Sequence, residues 1–526
     1  MSHRQRFLSR FVLGTFAALT IAFPAWSAEK VYFKFGSLEV SLSVQSLETW
    51  VETGKVDPEL AGYIEFLQPQ QRARLLALLQ TKYDEDFFNL SYMTYTSIGE
   101  RFLRGMNQFV RTKGKDNGIE DLRTAFVNAS KADGGLSFVN VLQQYPNDIE
   151  IDVVQVMTML QRAKRLVAQT DHFMAKLETV ADAEVKGPPP NGLDLRQPGA
   201  FKTTMQSLKV GDLDYDLYRP LQPSSPVPVI VITAGFAAQH EFFEDLAHHL
   251  ASYGFAVAIP DHAGSNNIRR HRFFQGKYKE LFEATEYVNR PREVTAVLDD
   301  LEQRPEFKNQ FNVKNVGVFS HSFGGATALS LAGANLNFKL LQQSCGDDLD
   351  QLNISLYYQC HALRLSQPVP SLKDDRVKAI FLLGPFSKAL FGEQEIRQLD
   401  LPVFWEATNI DIPAPLLQEQ IPIFKALTVP DRYLAVSQGL PHAHISFEVL
   451  TGLVKENEVE RLQALSMTYQ KAMTLAFFKT YTAGDQSFRP YLQTSYAQSI
   501  SQSPYPLLLL DAEASKALFQ ALLTHK

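Results

Sequence analysis

Cysteine is nearly absent: two in 526 residues, too few for a disulfide scaffold, and neither has the Cys-x-x-Cys or Cys/His spacing of a zinc site. A basic excess is missing as well. Lys and Arg number 51 against 57 Asp and Glu, a formal charge of −6, whereas nucleic-acid binding calls for the opposite balance. The 28 glycines and 27 prolines are too sparse for a collagen-like or low-complexity chain, and no internal repeat is visible. What is present, 45% hydrophobic and 21% charged residues, describes a packed globular protein. At roughly 150 residues per domain the length suits two to four units.

Arg4, Arg6 and Arg10 precede the apolar stretch Phe11 to Phe23, too short to cross about 30 Å of hydrocarbon but long enough for a signal-peptide core. Ala25-Trp26-Ser27 follows as a small-x-small exit, so cleavage is expected near Ser27, leaving an exported, periplasmic or extracellular protein without a membrane anchor. In an oxidising compartment Cys345 and Cys360 are expected to pair, stabilising the fold by about 3 kcal/mol on the chain-entropy model.

Val31 to Val44 alternates in LEVSLSV and suggests a short hairpin around Gly36. Helical spacing follows at Leu60, Ile64 and Leu67, at Leu75 to Leu79, at Phe102, Met106 and Phe109, and from Asp148 to Leu177. Residues 28–185 therefore read as a helical domain. Lys186-Gly187-Pro188-Pro189-Pro190-Asn191-Gly192 cannot continue a helix, and 186–200 reads as a linker. From Phe201 onward apolar runs such as VPVIVITA, FAVAIPD, VKNVGVFS, VKAIFLLG and LPVFWEA alternate with helical segments. That is the pattern of a parallel sheet covered on both faces, so the fold class expected for 201–526 is α/β.

The most informative segment is Gly317-Val318-Phe319-Ser320-His321-Ser322-Phe323-Gly324-Gly325. An apolar strand ends, a helix begins, and a serine sits on the tight turn between them, the arrangement of a nucleophile elbow, with Ser320 where the G-x-S-x-G pattern has its first glycine. A serine hydroxyl needs a base and an acid, expected downstream in the order Ser, Asp/Glu, His. Asp411 follows the strand LPVFWEA, with Glu406 nearer the strand as its competitor. His444 follows DRYLAVSQ, with His442 as its competitor. Two N–H donors for a developing oxyanion are expected from the backbones of Phe323 and, in the loop after VPVIVITA, Phe236. A dinucleotide loop centred on Gly235 would need glycine where Thr233 and Ala238 stand, and no acidic or Cys cluster flanks the His-x-His pair, so neither cofactor nor metal is expected. Residues 335–375, holding both cysteines, form an insertion at a lid position. The basic cluster Arg269, Arg270, His271, Arg272, Lys277 and Lys279 reads as a solvated loop.

The segments ITAGF, IPDHAGSN, RPREVTAVLDDL, SHSFGG, IDIP and HAHISF resemble the α/β-hydrolase superfamily, especially its dienelactone-hydrolase-like and platelet-activating-factor acetylhydrolase-like esterases, over about residues 200 to 480. With its leader and helical region, the whole chain resembles an exported cyanobacterial hydrolase family whose N-terminal domain has no known function. The resemblance implies a catalytic set of Ser322, Asp411 and His444, cleavage of small or lipid-like carboxylic esters through an acyl-enzyme, and no cofactor. In the platelet-activating-factor enzymes the acid follows the preceding strand. Here that place holds Leu383-Gly384-Pro385, with no carboxylate, so the acid fits the dienelactone-hydrolase-like arrangement.

Overall fold

The computed structural model describes residues 27–83, 90–115, 117–132, 135–185, 187–190, 192–222, 226–346, 352–442 and 454–523. The expected signal segment lies outside the described residues up to position 26. Two compact units emerge, Met1–Leu160 and Gln161–Lys526. The division falls inside the helix Val153–Ala183, upstream of the proline-rich stretch; the buried residues of that helix, Phe173, Met174, Leu177 and Ala181, all lie in its second half.

In the first unit, Lys30–Phe35 and Leu38–Ser43 form the hairpin expected around Gly36. Ile149–Asp152 pairs in parallel with Lys30–Phe35, and Val110–Thr112 completes a four-stranded sheet. The helical periodicity also holds: Trp50, Leu60, Ile64, Leu103 and Leu122 bury against Val31 and Ile149 in one core. Helices thus share this unit with a sheet of which only the hairpin was readable: Val110–Thr112 gave no alternation, and Ile149–Asp152, expected as the start of the helix from Asp148, is a strand.

The second unit is built on nine strands: β1 (Thr203–Val210), β2 (Leu213–Pro220), β3 (Val227–Thr233), β4 (Ala256–Pro260), β5 (Phe311–His321), β6 (Val377–Leu383), β7 (Val403–Ala407), β8 (Arg432–Ser437) and β9 (Leu507–Leu510). Their order across the sheet is β9-β8-β7-β6-β5-β3-β4-β2-β1. From β4 to β8 all neighbours are parallel, and antiparallel strands close both edges. Parallel strands need covered faces. Accordingly α1 (Glu244–Ser252) packs with the long helix α4 (Val459–Tyr481), and α2 (Glu286–Gln303) with α3 (Phe323–Leu331).

Register in the middle of the sheet is pinned by rings. Phe319 of β5, Phe381 of β6, Phe404 of β7 and Tyr433 of β8 pair in sequence across the ladder, with stacked centroids 5.4, 4.4 and 5.9 Å apart. Each such contact adds roughly 0.5–1.5 kcal/mol beyond area burial. A one-residue slip would turn each ring to the opposite face. The ladder therefore fixes how far each strand extends at its carboxyl end, where the loops carrying Ser322, Asp411 and His442 begin.

Candidate active site

Ser322 follows β5 immediately and caps α3 with φ 54° and ψ −116°, a backbone conformation that costs a residue bearing a Cβ on the order of 1–3 kcal/mol. Its own N–H donates to Leu383 O at 2.9 Å and its carbonyl accepts from Gly325 N–H at 2.8 Å, so the turn is held from both sides. The side chain makes no capping hydrogen bond and is partly exposed. The serine is turned out of the sheet rather than used to finish the helix.

Asp411 lies in the loop after β7 and is buried. One carboxylate oxygen accepts from Ala414 N–H at 2.7 Å, and the other accepts from the Gln420 amide at 3.2 Å. That second oxygen also lies 2.8 Å from Nδ1 of His442. The imidazole sits in the loop after β8, and its ring centroid is 4.9 Å from that of His321, the residue preceding Ser322. A Cβ built on Gly384 would stand 2.9 Å from the His442 ring; that glycine keeps a positive φ and leaves the imidazole its place. Ser322, Asp411 and His442 thus follow the fifth, seventh and eighth strands, at the carboxyl edge of one parallel sheet.

Of the residues expected from sequence, Ser322 and Asp411 stand beside the same imidazole-bearing loop. His444 lies outside the described residues, and the histidine found on Asp411 is its competitor His442. Glu406, the competing acid, is sealed in β7. Ser437 Oγ donates to it at 2.7 Å, its other oxygen has no hydrogen-bond partner among the described residues, and burial pushes its carboxyl up to about 7.

Phe236 and Phe323 flank the nucleophile. A Cβ on Gly235 would come within 3.1 Å of Ser322 Cβ, which brings the loop after β3 against the elbow. Among the described residues the amides of Phe236 and Phe323 donate no hydrogen bond, whereas Ala237 N–H is spent on Ser265 O at 2.8 Å. Neither amide is committed elsewhere among the described residues.

The insertion carries the expected bridge, Cys345 to Cys360. Its described part is bolted down rather than loose. Gln359 Oε1 accepts from Ala389 and Leu390 N–H, and its amide donates to Ser355 Oγ. Ser355 donates to Asn353, and Asn353 to Glu419, whose other oxygen accepts from Ser387 and Lys388 N–H. This buried chain presents Tyr358 to Phe236 and Phe386, at centroid distances of 5.9 and 6.2 Å. The segment expected as a lid is, over its described residues, a fixed wall. The basic cluster is also partly structural: the Arg269 guanidinium lies 3.4 Å from the Tyr278 ring centroid and donates to Glu280 and Leu281 carbonyls.

A second Thr-His-Glu chain, Thr233 Oγ1 to His262 Nε2 at 2.9 Å and His262 Nδ1 to Glu293 at 2.6 Å, repeats the donor pattern. Thr233 and His262 are both buried. Among the described residues no cluster of His, Cys, Asp or Glu has the geometry of a metal site.

Compared with known families, residues 27–152 match a model described as an alpha/beta hydrolase of unknown function (DUF1400), and residues 214–340 match the dienelactone hydrolase family. The second match covers β2 to the start of the insertion and includes Phe236, Ser322 and Phe323. The comparison with curated proteins returns no match.

Proposed function

The chain belongs to the α/β-hydrolase superfamily, and from that premise we propose that it is an exported serine hydrolase of carboxylic esters, with Ser322 as nucleophile, His442 as general base and Asp411 as the residue that orients it. The observation that carries this reading is the hydrogen bond between Asp411 and His442 Nδ1, with the His442 ring 4.9 Å from that of His321, the residue leading into the strained Ser322 elbow. A carboxylate on Nδ1 fixes the proton there and leaves the lone pair on Nε2.

Ser322 Oγ attacks the ester carbonyl carbon while its proton passes to His442 Nε2. The carbonyl oxygen becomes an oxyanion, received by the Phe236 and Phe323 N–H groups, each worth about 3 kcal/mol by deletion in comparable sites. Collapse breaks the bond to the alkoxy oxygen, which leaves as alcohol with the proton from His442. Water then attacks the acyl-Ser322 ester, His442 again takes and returns a proton, and the carboxylic acid departs. No metal or redox partner enters the balance. Asp411 orients the ring and stabilises the imidazolium.

Export is supported by the arginine-led apolar leader and by the Cys345–Cys360 bridge. No helix among the described residues is long and apolar enough to cross a membrane. The substrates proposed are small or lipid-like esters, an acetyl phospholipid among them. A chain-length series of p-nitrophenyl esters beside an acetyl phospholipid, run with Ser322→Ala, tests the reading. Turnover in the parent and its loss by at least 1000-fold in the variant is expected; undiminished turnover in Ser322→Ala contradicts it.

A further inference from the structure

Helix α2 places Glu286, Arg290 and Glu293 at i, i+4 and i+7, one face of the helix. Glu286 and Arg290 are buried, Arg290 at 1% exposed, and Glu293 is half-buried. Burying charge is expensive, and a buried ion group is weak evidence for stability. Each member of this stripe nevertheless holds a different point of the loop that carries Phe236. Arg290 Nη2 donates to Ala234 O at 2.5 Å. Glu293 accepts from His262 Nδ1, and the Nε2 of that ring accepts from Thr233 Oγ1. Glu286 accepts from Ser265 Oγ at 2.9 Å, and Ser265 O receives the Ala237 N–H. Thr233, Ala234 and Ala237 are thereby gripped on both sides of Phe236, whose own N–H is left unspent. Ala237 is held at φ 57°, a conformation the loop would not keep unaided.

Arg290 also reaches the other half of the site. Its guanidinium carbon lies 4.7 Å from the centroid of the Phe323 ring, within cation–π range. Nε and Nη1 of Arg290 are buried without hydrogen-bond partners among the described residues, so the group is not there to satisfy its own donors. One guanidinium touches both the loop bearing the Phe236 amide and the side chain of the residue bearing the Phe323 amide.

Building on the hydrolase reading, we propose that the Glu286-Arg290-Glu293 face of α2 is the positioning device for the oxyanion hole, with Arg290 locking its two halves at the spacing the tetrahedral intermediate needs. These are positioning residues: they meet the donors, not the substrate. Burial pulls Arg290 down to about 10, which leaves it protonated at neutral pH.

The test uses the full chain with Arg290→Met, close in volume and without charge or donor, and Arg290→Lys, which keeps charge and one donor. On p-nitrophenyl acetate, Arg290→Met is expected to lose roughly 10- to 100-fold in kcat with KM within about twofold, and to lose affinity for a trifluoromethyl ketone in proportion. Arg290→Lys is expected to recover part of both, and the acid limb of the kcat/KM profile set by the histidine is expected to stay in place. A loss confined to KM, or undiminished ketone affinity, overturns the proposal. Hydrogen exchange over residues 233–238 gives a readout independent of turnover: faster exchange in Arg290→Met is expected, and unchanged exchange overturns the clamp even if the parent proves inert toward esters. Should Arg290→Met fail to fold, Glu286→Ala, which frees Ser265 Oγ and the Asn289 amide, is expected to give the same kcat-weighted loss at smaller size. A Glu286→Ala variant with parental kcat and exchange contradicts the proposal.

Discussion

At the scale of single residues, what a side chain is made of was readable and where it finally sits was not. Ser322 is legible because a strand, a turn and a helix meet within ten letters, and Asp411 because a carboxylate follows an apolar strand. The base is a choice between His442 and His444, two residues apart on one loop, and nothing local to the sequence separates them. The HAHISF resemblance points to His444, which lies outside the described residues; the histidine found on Asp411 is His442, and it is the base proposed. Arg290 escaped notice for a related reason: a charge on a helix reads as solvated until a neighbouring loop is folded over it. Glu406 makes a prediction at this scale. Its carboxyl loses its proton near 4.5 when unfolded and at about 7 when folded, so its favourable contribution is complete below pH 4.5 and is lost as pH rises to 7. Glu406→Gln cannot ionise. It is expected to unfold at higher urea than the parent at pH 8, by up to about 3 kcal/mol, and to match it near pH 4.5. An equal difference at both pH values would refute this.

Among elements, the central strands were legible because parallel strands buried on both faces are written as continuous Val, Ile, Ala and Phe runs. The short strands of the first unit were not, since Val110–Thr112 spans three residues and pairs only through partners distant in sequence. The insertion shows a different limit. Its cysteines and its position suggested a lid, but its fixity depends on Gln359, Ser355, Asn353 and Glu419 meeting from separate segments. Gln359→Ala is expected to lose about 1–3 kcal/mol, because the Ala389 and Leu390 amides lose their acceptor in a buried place. Urea midpoints measure it, and an unchanged midpoint would mean the chain does not hold the segment. Replacing both Cys345 and Cys360 with Ser is expected to destabilise by about 3 kcal/mol, measured the same way, with a loss below about 1 kcal/mol counting against the bridge.

For the whole molecule, the proposed export rests on the expected leader and on the Cys345–Cys360 bridge. Protein recovered from outside the cytoplasm is expected to begin at or beside Ala28, and an intact Met1 on such material would contradict export. The proposed chemistry lies within the Gln161–Lys526 unit, where Ser322, Asp411 and His442 follow strands of one parallel set, and one helix face is proposed to brace the loop after β3. The function of the first unit is not legible from its sheet or its helices. The most direct test of the account is the pre-steady-state release of p-nitrophenol from p-nitrophenyl acetate by the parent, His442→Ala and His444→Ala. A burst of one equivalent in the parent and in His444→Ala, with acylation at least 1000-fold slower in His442→Ala, is the result predicted. A burst that survives in His442→Ala and disappears in His444→Ala would contradict it.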